Sequence, residues 1–151
     1  MKKQDTSENL ANLAYLAIGS NLGNKINNIG IAKLELERYK IQILKSSSNY
    51  LSESWPDRSM PKYINIIIKI KTSLTPFELL KICNLIESKL GRVKSKKNAP
   101  RTCDIDIIDF NKIIINENNQ QLILPHPRMN KRNFVLLPLF EIEKSWKHPK
   151  S

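Results

Sequence analysis

"KYINIIIKIKTSLTPFELLKICNLIESKLG", residues 62–91, holds two well-marked elements, and the rest of the chain is placed by working outward from it. Residues 62–72 are dominated by β-branched isoleucine and are too apolar for an exposed surface, so they read as a central strand. Residues 74–91 carry a complete helix start. Thr75 is the cap, Pro76 suits the first helical position, and Glu78 completes a Thr-x-x-Glu box, with Leu74 and Leu79 spaced for a hydrophobic staple. Leu79, Ile82, Cys83, Ile86 and Leu90 then share one helical face, and Gly91 suits the stop.

Downstream, "TCDIDIIDF" (102–110) reads as a further strand. Its period of two puts Asp104 and Asp106 on one face and Ile105 and Ile107 on the other. Upstream, "AYLAIGS" (14–20) reads as a buried strand and 24–40 as a helix. Residues 41–54 begin as a strand and dissolve into Ser-rich polar sequence, and 54–62, with two prolines, form a loop. Beyond 110, "KIIIN" (112–116) and "QLILP" (121–125) read as a small hairpin and 126–134 as a basic loop or short helical turn. Residues 135–142 are apolar and pack back on the core. The order is strand, helix, strand, loop, strand, helix, strand, with a hairpin and a C-terminal segment added. That is the βαββαβ pattern of an α+β, ferredoxin-like sandwich. The expected organisation is a disordered lead-in over 1–13, a single domain over 14–143, and a polar, frayed tail over 144–151.

A chain of 151 residues can bury a real core. No apolar run approaches the roughly 18–20 residues that a bilayer demands. The polar start "MKKQDTSENLAN" lacks a signal-peptide core, so a cytoplasmic protein is expected. Cys83 and Cys103 lack the spacing of a metal or redox motif and read as buried free thiols. The net charge of +11 favours anionic partners: nucleic acid, a membrane surface or phosphorylated metabolites. Abundant Lys, Ile and Asn throughout the chain offers a plainer source for the same charge.

Asp104 and Asp106 are the first candidates for chemistry. Same-face residues two apart on a strand lie about 6.5–7 Å apart at Cα, and their carboxylates can converge on one cation. Mg²⁺ typically takes one or two protein carboxylates, several waters and substrate phosphates. The competing reading is a pair of solvated strand acids. Two basic stretches flank the acids in sequence: 91–101, with Arg92, Lys94, Lys96, Lys97 and Arg101, and 126–132, with His126, Arg128, Lys131 and Arg132. Cations beside carboxylates make sense where a phosphate chain lies between them, metal on one side and guanidinium on the other. "GSNLGNK" (19–25) lacks P-loop spacing and has Ile26 where the metal-binding hydroxyl belongs, which excludes a P-loop fold. An RNA-recognition sheet needs surface aromatics. Here "INIIIKI" and "DIDIIDF" stand instead, and the acids repel a phosphate backbone, so no nucleic-acid partner is expected.

"AYLAIGSNLGNK", "YIN" (63–65), "ESKLGRV", "PRTCDIDI" and "LPHPRMNKRNFVLLPLFEI" occur in that order between about 14 and 142. In these stretches the chain resembles the 6-hydroxymethyl-7,8-dihydropterin pyrophosphokinase family of folate biosynthesis, whose fold is ferredoxin-like. The resemblance implies pyrophosphoryl transfer from ATP to the pterin hydroxymethyl group, with release of AMP, by an enzyme expected to be monomeric. Asp104 and Asp106 match carboxylates that hold two Mg²⁺ ions along the triphosphate. Arg92 and Arg101 match groups that approach the triphosphate, His126 and Arg132 match ATP contacts, and Glu87 matches an acid near the nucleotide. On the pterin side, Asn65 matches a pairing amide, and Tyr63 and Phe134 match pocket aromatics. Backbone from Ser52 through Glu53 to Trp55 lines the same pocket. The competing readings are core aromatics for Tyr63 and Phe134 and a solvated helix acid for Glu87.

The chain also departs from the family pattern. Asn98 and Ala99 stand where an aromatic usually covers the pterin, in a loop about one residue short. Ser52-Glu53 replaces Thr-Pro, Cys103 precedes the first acid, and Pro127 follows His126 where an aromatic is common. A rival reading is therefore a weakened homologue that binds pterin or nucleotide without turnover.

Overall fold

The structure, a computed structural model, describes residues 11–54, 56–91, 99–116 and 121–150. In chain order they form β1 (Asn12–Ser20), α1 (Lys25–Arg38), β2 (Gln42–Ser46), β3 (Tyr50–Ser52), β4 (Tyr63–Thr72), α2 (Pro76–Lys89), β5 (Asp104–Phe110) and α3 (Asn133–Ile142). A single 3-10 turn, Met129–Lys131, precedes α3. The sheet order is β2-β4-β1-β5, with β3 also paired to β4, and every pair is antiparallel. With α1 and α2 as the crossovers, this is the expected ferredoxin-like α+β arrangement. No helix among the described residues is long and apolar enough to cross a membrane.

Local signals set the helices. Asn24 caps α1 by accepting from the Asn27 amide at 3.1 Å. The α2 box is complete: Glu78 N donates to Thr75 Oγ1 at 3.2 Å and Thr75 N to Glu78 Oε1 at 2.8 Å. Gly91 ends that helix at φ +95°, a conformation that suits glycine.

α1 and α2 pack on one face of the sheet. There Leu16, Ile18, Ile66, Ile68, Ile105 and Ile107 meet Leu36, Leu79, Cys83 and Ile86. The opposite face is smaller. Tyr15, Ile67 and Ile108 pack under Met129, Val135, Leu139 and Trp146. A register irregularity between Tyr15 and Leu16 breaks the alternation of β5, so that Ile108 and Asp109, adjacent in sequence, both serve this second face. Both cysteines are buried, and neither is in a disulfide among the described residues.

Two expectations are corrected, and one segment left without an element type gains one. The Ser-rich stretch does not dissolve: Ser47 donates its amide to Ile67 O and accepts from Ile67 N on its hydroxyl, both at 2.9 Å. That side-chain oxygen continues the ladder into β3. The apolar segment after 132 is a helix, α3, despite Pro138, whose ring sits on the buried side. The tail is not frayed. Trp146 is 7% exposed, and its indole N–H donates to Asp109 Oδ2 at 2.8 Å. Lys112 Nζ lies 4.2 Å over the same ring. Of the expected hairpin, the described residues show one bridge, Ile115 with Leu124, hydrogen-bonded in both directions.

Candidate active site

β1 ends where β4 and β5 begin, and the register there sets up two rows across the face that α3 covers only in part. One row is Asn65–Gly19–Asp104 and the next is Ile67–Ala17–Asp106. The central residue of each row is small, so the floor between the flanking side chains is shallow. Directly paired residues lie about 5 Å apart at Cα, which puts Asn65 and Asp104 roughly 10 Å apart on one surface. The period-two reading of Asp104 and Asp106 holds, since Ile105 and Ile107 both point into the opposite core.

The acid side comes first. Arg101 Nη1 lies 3.3 Å from Asp104 Oδ1, and each side chain keeps 27% of its exposure. His126 is fixed from behind: its amide donates to Ile108 O at 2.9 Å, and its Nδ1 accepts from the Arg128 amide at 3.2 Å. Its Nε2 therefore carries the proton. Burial, followed by the charges of Arg132 and Arg128, lowers the imidazole from 6.5 to about 4, while Asp104 pulls the other way. His126 is thus a neutral donor at physiological pH. Among the described residues no group of three or more His, Cys, Asp or Glu side chains could hold a metal ion alone. Two carboxylates on one face fit a hard cation that draws its remaining ligands from water and substrate phosphate.

The other side is built from β3, β4 and α3. Asn65 is 6% exposed, and its Nδ2 donates to Ser52 Oγ at 2.8 Å and to Tyr50 O at 3.3 Å. A backbone carbonyl can only accept, so the amide orientation is fixed, with Oδ1 turned towards Gly19. Beside it an open cleft of about 200 Å³ is lined by Tyr50, Ser52, Arg132, Phe134 and Leu137, among others. The Arg132 guanidinium sits 5.4 Å from the centre of the Phe134 ring. Glu141 of α3 ties the two walls by accepting from Ser48 N and Ser48 Oγ at 3.0 Å and from Tyr50 O–H at 2.7 Å.

Asn21, which the sequence reading did not single out, joins the two sides. It is 2% exposed. Its Nδ2 donates to Ser54 Oγ at 3.1 Å and to Pro61 O at 3.2 Å. Its Oδ1 accepts from Arg101 N at 2.7 Å, and its own amide donates to Arg101 O at 3.0 Å. One side chain thus holds both ends of the 54–61 loop and the approach to β5.

The remaining candidates divide. Tyr63 is half-buried at the start of β4, beside Gly19. Glu53 is exposed, 3.7 Å from Lys62 Nζ. Glu87 is 5% exposed, not the solvated helix acid of the competing reading, and its Oε2 accepts from Ile105 N at 2.7 Å. That bond satisfies a β5 amide between the two aspartates in sequence, on the helix side of the sheet. Arg92, Trp55 and Asn98 lie outside the described residues.

The family model for 7,8-dihydro-6-hydroxymethylpterin-pyrophosphokinase (HPPK) matches residues 15–144. The 2-amino-4-hydroxy-6-hydroxymethyldihydropteridine pyrophosphokinase of Bacillus subtilis (strain 168) is 42% identical over 132 residues, which is 87% of this chain and 78% of that protein. The protein of the same name from Aquifex aeolicus (strain VF5) is 38% identical over 89% of this chain and 82% of its own length. Folic acid synthesis protein fol1 of Pneumocystis carinii is 40% identical over 99% of this chain, which spans only 20% of that longer protein. A solved HPPK-DHPS structure in complex with substrates matches 93% of this chain and 41% of its own, with a TM-score of 0.68 at 17% identity, a likeness of fold.

Proposed function

The chain belongs to the 7,8-dihydro-6-hydroxymethylpterin-pyrophosphokinase family, and from that premise we propose which residues carry the reaction and with which metal. The reaction is transfer of a pyrophosphoryl group from ATP to the hydroxymethyl group of 6-hydroxymethyl-7,8-dihydropterin, in folate biosynthesis. The hydroxymethyl oxygen bonds to the β-phosphorus, the bond from that phosphorus to the α–β bridging oxygen breaks, AMP leaves, and the hydroxyl gives up its proton.

Asp104 and Asp106 are the residues that would hold Mg²⁺, two ions bound with ATP, which would neutralise phosphate oxygens and favour the deprotonated hydroxyl. The chain's own cations do the rest of the positioning. Arg101, beside Asp104, is placed to take a phosphate oxygen when the nucleotide arrives, and Arg132 is a second cation for the same chain of phosphates, a role we assign to Arg92 from the sequence alone. His126 donates through Nε2–H as a neutral group, so it orients a phosphate oxygen without holding product by charge. Asn65 Oδ1 accepts from an N–H on the pterin edge, Phe134 lies against the ring, and Tyr63 and the 52–54 backbone border it. Little covalent work falls to the protein, so alignment and electrostatics supply most of the rate. Glu87 acts on this site from beneath, by fixing Ile105 between the two acids.

The observation that carries this reading is the row Asn65–Gly19–Asp104, which sets a pairing amide and an acid on opposite sides of a residue with no side chain. A flat bicyclic ring laid across Gly19 meets the amide with one edge and brings its hydroxymethyl end towards the acids. The test is Asp104→Asn and Asp106→Asn, assayed separately for dihydropterin binding and AMP release. The reading expects binding of dihydropterin as in the unmodified protein and AMP release slower by about a hundredfold or more. AMP release within about threefold of the unmodified rate contradicts it.

A further inference from the structure

We infer that Gly19 is a positioning residue for the pterin side of the site: its missing side chain is what lets the Asn65 amide lie across β1 in its acceptor orientation. The inference rests on the reading of Asn65 as the pterin-pairing amide. "GSN" (19–21) was set aside above as a failed phosphate loop, and neither the metal nor the triphosphate chemistry gives its glycine a role.

The backbone does not demand glycine at this position. Gly23 and Gly91 sit at φ +75° and +95°, where a side chain strains the chain, whereas Gly19 lies outside that region, in ordinary strand. Glycine in the interior of a strand is otherwise a liability, since it has no side chain to pack and loses the most freedom on folding. The space around it supplies the reason. A Cβ built on Gly19 would sit 2.9 Å from Asn65 Oδ1 and 3.3 Å from Tyr63 Cδ1, with Ile64 O next at 3.7 Å. The first distance is well inside contact. All three atoms belong to β4, and the acid strand on the other side contributes none of them.

Asn65 has nowhere else to put its oxygen. Its Nδ2 is held by Ser52 Oγ and by the Tyr50 carbonyl, and turning the amide over would set oxygen against that carbonyl. A methyl group at position 19 therefore either pulls Nδ2 away from β3 or swings Oδ1 off the line of the ring. Either outcome weakens pterin pairing and leaves the Asp104–Arg101 side in place.

The test is a double-mutant cycle of unmodified protein, Gly19→Ala, Asn65→Ala and the double variant. Three quantities are read: thermal midpoint without ligand, affinity for 6-hydroxymethyl-7,8-dihydropterin, and affinity for an ATP analogue with Mg²⁺. Gly19→Ala is expected to lower the midpoint and to weaken dihydropterin about tenfold, one buried hydrogen bond's worth, with nucleotide affinity unchanged. In the Asn65→Ala background the same substitution is expected to leave the midpoint unchanged, because the colliding oxygen is gone and the Tyr63 ring needs to give by only a few tenths of an ångström. The double variant then melts no lower than Asn65→Ala alone, even if Gly19→Ala by itself does not fold. Equal losses of midpoint in both backgrounds, or dihydropterin and nucleotide weakened together in Gly19→Ala, overturn the inference. Failure of the unmodified protein to bind dihydropterin would instead overturn the reading beneath it, while the melting cycle still judges the collision.

Discussion

Replacing Asn21 by alanine removes three hydrogen bonds from a residue that is 2% exposed: to Ser54 Oγ at 3.1 Å, to Pro61 O at 3.2 Å, and from Arg101 N at 2.7 Å. At about 1 kcal/mol net for each, the loss of stability should be about 3 kcal/mol, within a range of roughly 2–4. The same bonds hold the loop beside the proposed pterin pocket and Arg101, the residue whose guanidinium is proposed to meet the triphosphate. Both substrates should therefore feel the change. If one bond's worth, about 1 kcal/mol, appears at each substrate, each KM rises about fivefold. Asn21→Asp separates the two sides. It keeps an acceptor for Arg101 N, loses both donors, and sets a carboxylate against the Pro61 carbonyl, so the KM for dihydropterin should rise more than that for ATP. Urea denaturation gives the stability term, and steady-state kinetics with each substrate varied in turn gives the other. A loss below about 1 kcal/mol with both KM values unchanged would refute the joining role, as would a rise confined to one substrate in Asn21→Ala.

Three further outcomes follow from single contacts. Glu87→Ala strands the Ile105 amide and should cost about 1–3 kcal/mol, whereas Glu87→Gln keeps an acceptor and should cost much less; a rise in KM for ATP with no change in urea midpoint would instead place Glu87 on the nucleotide. Trp146→Ala should cost about 3–5 kcal/mol, since it empties a buried site and takes a donor from Asp109, which is 1% exposed; calorimetry on this variant and on a chain cut after Lys144 should show both destabilised. His126 should give stability a pH slope. Its imidazole is held near 4 in the fold against 6.5 when free, so on acidification the unfolded chain takes the proton first. The contribution is complete above about pH 6.5 and is lost as pH falls towards 4. Urea midpoints across that window should fall less in His126→Gln, and equal slopes would show that the imidazole is not held neutral.

What the sequence made legible was what local pattern controls. The Thr75–Glu78 box, the isoleucines of β4 and the same-face aspartates of β5 are all set by neighbours within four residues, and all stand as read. Pairing across strands is different. That Asn65 and Asp104 flank Gly19 depends on registers joining residues 46 and 85 positions apart, which no local period encodes. β3 was hidden because Ser47 takes a ladder role with its hydroxyl, and α3 because Pro138 argues against a helix. Trp146 was hidden by polar company, although one large aromatic among lysines is itself a signal that a tail is anchored. Asn21 was missed because its importance lies wholly in its partners, at 54, 61 and 101.

The most direct measurement is AMP formation by the unmodified protein given ATP, with 6-hydroxymethyl-7,8-dihydropterin and Mg²⁺ each supplied or withheld. The account predicts AMP in amounts matching diphosphorylated pterin only when all three are present, and abolition when a chelator removes the metal. AMP that forms without the pterin, or at an undiminished rate without a divalent cation, would contradict the assignment of the paired aspartates. Tight pterin binding without AMP would favour a homologue that binds and does not turn over.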